Sequence, residues 1–447
     1  MAEQATAVIG GPESGAASSS YAAIALHRLA QGLLYALPIL FIIGRAPAEI
    51  AVSLTAILFL ARSACGLGWA WLKTPWVMAA FVFWISLLLT SVLALSPEES
   101  FSRALPFLRF FLFAAALQHW LLVERQALHL FLTTLAIAVG FVLIDCLYQY
   151  AVGVDIFGKT AEGQFRLSGP FNNDVAGTFL AKVSLPLLGW WFAWSADRGH
   201  LSWTVGGVLA LVIGLVILLT GERTAFVSYG MGLGVLILLV RNIRRPLLLI
   251  GLIGMVGLGS LVVGQKDLRQ RFVGHTTSDF EDFWNNRYGI IFVHAIDAWK
   301  TAPITGVGLK NFRLTCRTDN FEHKGPIDSW CFNHAHNPYL ELLSETGAVG
   351  LTLFLVMILL ILKDIIQGWR PARQDFPLVA AAAASLLMFL WPVMVSKSLF
   401  ANWNGMLFWL AIGLALAIAR PRLSPQSEVR RRPGMSASSD AIQASTS

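Results

Sequence analysis

The sequence predicts an all-α polytopic membrane protein with about 12 transmembrane helices, and three observations predict it. Of 447 residues, 56% are apolar and only 13% charged, whereas a soluble domain carries about 25% charged residues. So little charge cannot coat a globule of this size, which excludes a water-soluble enzyme. The mean hydropathy is +0.64, and twelve spans of about 20 residues need roughly 240 apolar residues, close to what the chain holds. The apolar runs are also long and continuous, not alternating over about 10 residues, which excludes a transmembrane barrel. Sixteen Trp and 29 Phe suit a chain anchored at membrane interfaces.

The expected spans are 29–44, 46–61, 76–95, 105–122, 127–150, 175–195, 202–220, 224–240, 246–264, 346–362, 376–396 and 403–419. The first two could form one broken hairpin. Low-complexity residues 1–20 and the basic tail 421–447 are expected to be disordered and cytoplasmic, because neither can bury a core. No basic segment precedes the first apolar run, so no cleavable signal is expected. Residues 21–264 then hold spans one to nine, and 346–420 hold ten to twelve. Between them, 265–345 is too long for a connector and reads as a partly helical functional domain. Its stretch 289–300 is amphipathic.

Charge sets the orientation. Arg28, Arg62, Lys73, Arg125, Arg198, Arg241, Arg244, Arg245, Lys363, Arg370, Arg373 and the tail arginines mark the inside. The opposite side has fewer basic residues in its short loops, namely Arg45, Arg103, Arg109, Lys159, Arg166, Arg223 and Lys397. The net charge of +7 is thereby spent on topology and gives no nucleic-acid signal.

Ionisable residues at a membrane are costly and mark function by default. Four segments gather them on the outer face. In 165–174, Arg166 precedes Gly169-Pro170-Phe171-Asn172-Asn173-Asp174 at the start of the sixth span, with Lys182 two turns further on. This is either a capped helix with a snorkelling Arg166 or a helix N-terminus that binds an anion. Thr220-Gly221-Glu222-Arg223 is a short turn. It either forms a cap with an Arg–Glu pair or aims the Arg223 fork at phosphate. Asn286-Arg287-Tyr288 opens the amphipathic helix. His334-Ala335-His336-Asn337-Pro338-Tyr339 leads through Glu341 to Glu345-Thr346-Gly347. His336 is either a structural hydrogen-bonder or a general base titrating near neutrality; a zinc site through His334 and His336 lacks a third ligand with convincing spacing. The acidic run Asp279-Phe280-Glu281-Asp282 could be read as a motif that holds a divalent metal.

Taken together, these motifs resemble the O-antigen ligase and O-antigen polymerase superfamily of bacterial inner membranes. The resemblance rests on Gly169-Pro-Phe-Asn-Asn, Thr220-Gly-Glu-Arg223, Arg287 followed by Pro303, Gly306 and Gly308, and His336-Asn-Pro-Tyr-Leu-Glu running to Glu345-Thr-Gly347. It covers about 165–365, and the hydropathy plan covers the rest. It implies a glycosyltransferase-C-like enzyme with the long loop and active site facing the periplasm. It would use undecaprenyl diphosphate carrying O-antigen as donor and lipid A-core as acceptor, with membrane lipids around it and neither cofactor nor metal. His336, Arg287 and Arg223 would be catalytic, and Arg166, Lys182, Asn172, Asn337 and Tyr339 would bind substrate. Ligase is favoured over polymerase, and a flippase or transporter is the non-enzyme alternative. Cys316 and Cys331 lie in the outer loop, where a disulfide is expected if that face is oxidising, with two free thiols the alternative. Oligomeric state leaves no signal.

Overall fold

The computed structural model describes residues 13–161, 166–172, 175–284, 286–316, 332–370, 372–392 and 397–420. Among these residues it is all-helical, with one isolated bridge between Val154 and Thr160. A long helix falls at every expected span: α1 (Glu13–Ile43), α2 (Arg45–Arg62), α3 (Pro75–Val92), α4 (Pro97–Ala116), α5 (Arg125–Val152), α6 (Ala176–Ser195), α7 (His200–Leu219), α8 (Arg223–Leu239) and α9 (Arg241–Gly264). The long loop holds α10 (Lys266–Arg269), α11 (His275–Glu281), α12 (Arg287–Thr301) and α13 (Phe312–Thr315). The chain then closes with α14 (Pro338–Gln367), α15 (Phe376–Leu390) and α16 (Asn402–Ala419). Nine helices among the described residues are long and apolar enough to cross a membrane, and α8 and α15 are shorter apolar helices. This is a multi-pass membrane protein.

Three boundaries differ from expectation. First, α1 begins at Glu13, inside the stretch 1–20 expected to be disordered. Alanines at 16, 17, 22 and 23 favour helix and let the span propagate backwards. Second, α15 stops at Leu390, six residues early, because Pro392 disfavours helix at Trp391. Third, α14 starts at Pro338 and not near 346. Asn337 caps it, accepting from the N–H groups of Tyr339 (3.0 Å) and Leu340 (3.1 Å), and Pro338 fills the first helical position.

That early start is followed by a break. Gly347 has φ 66 inside α14, a left-handed geometry that suits glycine. The backbone of 303–308 fills the gap: Val307 N–H donates to Ser344 O (2.9 Å), Gly308 N–H to Glu345 O (3.0 Å) and Ala348 N–H to Pro303 O (2.9 Å). A Cβ on Gly347 would lie 2.2 Å from Ile304 O, and one on Gly306 2.4 Å from Glu345 C. The Pro303, Gly306, Gly308 and Gly347 motif is thus one device that satisfies backbone groups freed by a broken helix.

The most interior helix is α16, buried on all sides against α4, α14 and α15. In contrast, α9 turns Leu252, Ile253, Met255 and Val256 outward, as suits a lipid-facing helix. At one end of the bundle, cavities draw residues from 41–49, 171–178, 222–228, 333–345 and 397–404. At the other end Arg125, Arg198, Gln374 and Asp375 share a pocket. The two basic sets inferred from sequence therefore segregate to opposite ends.

Candidate functional site

His336 sits where two helix starts meet. Asn286 caps α12, accepting from Tyr288 N–H (2.8 Å) and Gly289 N–H (3.0 Å), just as Asn337 caps α14. His336 has φ 53, an uncommon conformation for a residue with a side chain. The tight bend places its ring against His334, with centroids 4.0 Å apart, and edge-on to Tyr288 at 6.2 Å. Burial, the neighbouring His334 and the Arg287 guanidinium push the His336 imidazole down to about 4. This keeps the imidazole in the proton-accepting form at physiological pH and makes it a weaker base than a free histidine.

The two histidines line two different cavities. His336 faces one of roughly 200 Å³ whose wall includes Lys182, Glu222, Lys397, Phe389 and Asn404. The Lys182 ammonium donates to Asn404 Oδ1 and lies 4.2 Å from the Phe389 ring centroid. Asn404 in turn donates to the carbonyls of Lys397 (3.0 Å) and Ser398 (2.9 Å), which fixes the segment after α15 beside α6. His334 faces the second cavity, with Arg103, Lys310, Arg313, Glu341 and Glu345. Glu341 Oε2 accepts from Leu399 N–H (2.9 Å), so the same segment walls both spaces.

The structure unites His336 with Lys182 and places Arg287 near it. Arg287 is exposed and lies 5.3 Å from the Phe332 ring centroid. Arg223 donates to Thr276 Oγ1 (3.0 Å) on α11. Its chain neighbours Glu222 and Thr224 line the cavity, and Arg223 itself does not.

The remaining expectations are redistributed. The N-terminus of α6 is not open to a foreign anion. Glu222 already occupies it, accepting from Gly177 N–H (2.8 Å), Thr178 N–H and the Thr178 hydroxyl. A carboxylate there neutralises the helix dipole, and Gly177 leaves the room it needs. Asn172 accepts from the Lys159 ammonium and lines a third cavity with Arg45, Glu49 and Trp403. The Asn337 carboxamide is engaged at both ends, since its Nδ2 donates to Pro392 O (2.6 Å). The Tyr339 hydroxyl donates to Leu390 O (2.6 Å). These two residues, expected to bind substrate, dock α14 on the end of α15. Arg166 lines none of these three cavities. Glu341 and Glu345 line the space of His334. Cys316 is disulfide-bonded, Cys65 and Cys146 are free, and the expected partner Cys331 lies outside the described residues, as do Asn173, Asp174 and the tail from 421. Sequence reasoning missed Lys397 as a site residue; the signal was a lone Lys in the apolar run 393–400.

Residues 208–355 match the family model described as O-antigen ligase. Over this segment the chain is similar to the O-antigen ligase and polymerase superfamily. The match spans about a third of the chain, from α7 through the outer loop into α14, and includes Glu222, Arg223, Arg287, His334 and His336. Members of this superfamily are glycosyltransferase-like enzymes of lipid-linked polysaccharide. No curated protein matches the chain. Lys182, Lys397 and Asn404 lie outside the matched segment, so the cavity is completed by helices the family match does not cover.

Proposed function

We propose that this protein is an O-antigen ligase. It transfers polysaccharide from undecaprenyl diphosphate to a sugar hydroxyl of lipid A-core, at the periplasmic face of a bacterial inner membrane. The observation that carries this reading is the His336 imidazole on the wall of a cavity that also holds Lys182 and Lys397. A diphosphate is already a good leaving group and needs fixed positive charge more than a proton donor. A sugar hydroxyl is a weak nucleophile and needs a base within hydrogen-bond reach.

In this mechanism the acceptor oxygen bonds to the anomeric carbon as its proton passes to His336. The bond from that carbon to the diphosphate oxygen breaks, and the diphosphate departs with the electron pair. Lys182 and Lys397 within the cavity, with Arg287 near His336 and Arg223 beside the lining residues Glu222 and Thr224, stabilise the developing charge in place of a metal. Attack opposite the leaving group inverts the anomeric centre in a single displacement.

The test is transfer by purified protein in nanodiscs, given undecaprenyl-diphosphate-linked glycan and lipid A-core and read by gel shift of the core. Glycan on lipid A-core supports the proposal. Lengthened glycan on undecaprenyl diphosphate would make the protein a polymerase, and movement of the donor without a new bond a transporter.

A further inference from the structure

The end of the bundle opposite the His336 cavity carries a pocket that the proposed reaction does not use. It lies among the start of α5, the last turns of α6, the α6–α7 turn and the start of α15, and holds roughly 380 Å³. Arg125 and Arg198 supply its positive charge, and Trp190 and Trp194 supply its walls. Both arginines are exposed, so a ligand can reach them. The Arg198 guanidinium lies over the Trp194 ring, 3.9 Å from the centroid, and its Nη1 donates to Trp194 O. His129 packs against Trp190, with ring centroids 5.7 Å apart. Arg125 makes no hydrogen bond or ion pair among the described residues.

The charge here is not cancelled from within. Asp375 is the carboxylate in the lining, and Arg373 takes both of its oxygens (2.8 and 2.9 Å). Glu124 and Asp197, the chain neighbours of the two arginines, lie outside the lining, and Asp197 accepts from Gln374 (2.9 Å). Two guanidiniums therefore call for an anion, and their planar forks suit phosphate oxygens. The indole walls stand at the ends of apolar helices, where Trp sits at the headgroup level of a membrane. Leu130, Ile137 and Ile144, seven residues apart on α5, form an exposed apolar stripe that begins beside the pocket. Free phosphate would leave the indoles facing water. A zwitterionic headgroup would bring an ammonium towards two arginines, with Asp375 already engaged. An anionic lipid matches charge, walls and stripe together, as basic pockets between spans do elsewhere.

We propose that this pocket binds one anionic phospholipid in the leaflet opposite the His336 cavity. Arg125 and Arg198 donate to the oxygens of its phosphodiester, Trp190 and Trp194 pack on its glycerol region, and its acyl chains lie along α5. The lipid bridges α5, α6 and α15. Further along, α6 and α15 carry Lys182 and Phe389, which meet in the His336 cavity, so the lipid clamps two of the helices that wall it. The inference does not rest on the ligase reading.

The test uses the full-length protein, delipidated in detergent. Native mass spectrometry follows titration with phosphatidylglycerol or phosphatidylethanolamine. The unmodified protein should bind a first phosphatidylglycerol in clear preference. Arg125→Gln with Arg198→Gln should weaken that binding about tenfold or more, since each basic residue near an anionic headgroup contributes roughly fivefold. Lys363→Gln with Arg370→Gln removes the same charge from residues that do not line the pocket, and should leave the binding unchanged. Full binding by the first pair, or equal loss in the second, would overturn the proposal. Equal binding of the two lipids by the unmodified protein would also overturn it, and that arm decides the matter where a variant fails to fold. Thermal unfolding separates lipid from free anion: phosphatidylglycerol should raise Tm and inorganic phosphate should not. An equal rise with inorganic phosphate would overturn the lipid assignment.

Discussion

The depressed His336 imidazole makes a specific prediction about pH. With an apparent value of about 4, lowering pH from 7.5 to 5.5 leaves about 97% of His336 neutral, whereas an unperturbed histidine near 6.5 would be only about 9% neutral. The sign follows from the base role: activity is present above the value and lost as pH falls through it. The ratio kcat/KM reports groups of the free enzyme, the state in which the burial and the Arg287 contribution apply. Initial transfer rates at subsaturating donor, from pH 4.5 to 8 and normalised to donor protonation followed by phosphorus NMR, should stay nearly flat down to about pH 5. Arg287 lowers the value, so Arg287→Gln should move the acid limb to higher pH. A tenfold loss of kcat/KM between pH 7 and 5.5 in the unmodified protein would refute the reasoning. So would an Arg287→Gln limb that moves downward.

Other expectations follow from the same geometry. His336→Ala should lower turnover by about 10²–10⁴-fold, the usual weight of base catalysis, with unchanged thermal unfolding in nanodiscs; near-normal turnover would demote it to a packing residue. Arg223→Ala and Arg287→Ala should each cost about 10- to 150-fold in rate, the equivalent of about 1.5–3 kcal/mol for a charge-assisted contact, and Lys should restore neither fully. Glu222→Ala strands the first N–H groups of α6 and should lower stability by about 1–3 kcal/mol, read as a lower Tm; an unchanged Tm would contradict its capping role. Peptide mapping without reductant should pair Cys316 with Cys331, and quantitative alkylation of both thiols would reject the pair.

Sequence legibility followed the range of each interaction. Long helices were legible because continuous apolar runs are local signals, as were His336 and Lys182, polar residues standing out at a membrane. The early start of α14 was missed because residues 338–345 are mixed in polarity and read as loop. Asn337 before Pro338 was the cue to a helix cap, yet it was assigned to substrate. The role of Glu222 was not legible because its partners, Gly177 and Thr178, lie 45 and 44 positions away on another helix. Lys397 and Asn404 join Lys182 only through packing across more than 200 residues, which no spacing rule can supply. The second cavity, assembled from four separated segments, was hidden for the same reason.

The strap of 303–309 across the break in α14 has a consequence for biogenesis. It also docks on the α3–α4 turn, where Leu95 N–H donates to Val307 O (3.0 Å) and Leu309 N–H to Ser100 Oγ (3.0 Å). One end of this contact set is synthesised some 200 residues before the strap, and the other some 40 residues after it. Chains generally fold from the N-terminus as they emerge, so the early helices can assemble while the strap still lacks its second support. Closure of the His336 cavity waits further, until Asn404 has been inserted. A ribosome stalled before that point would leave a bundle with most of its spans and this cavity still open on the α16 side.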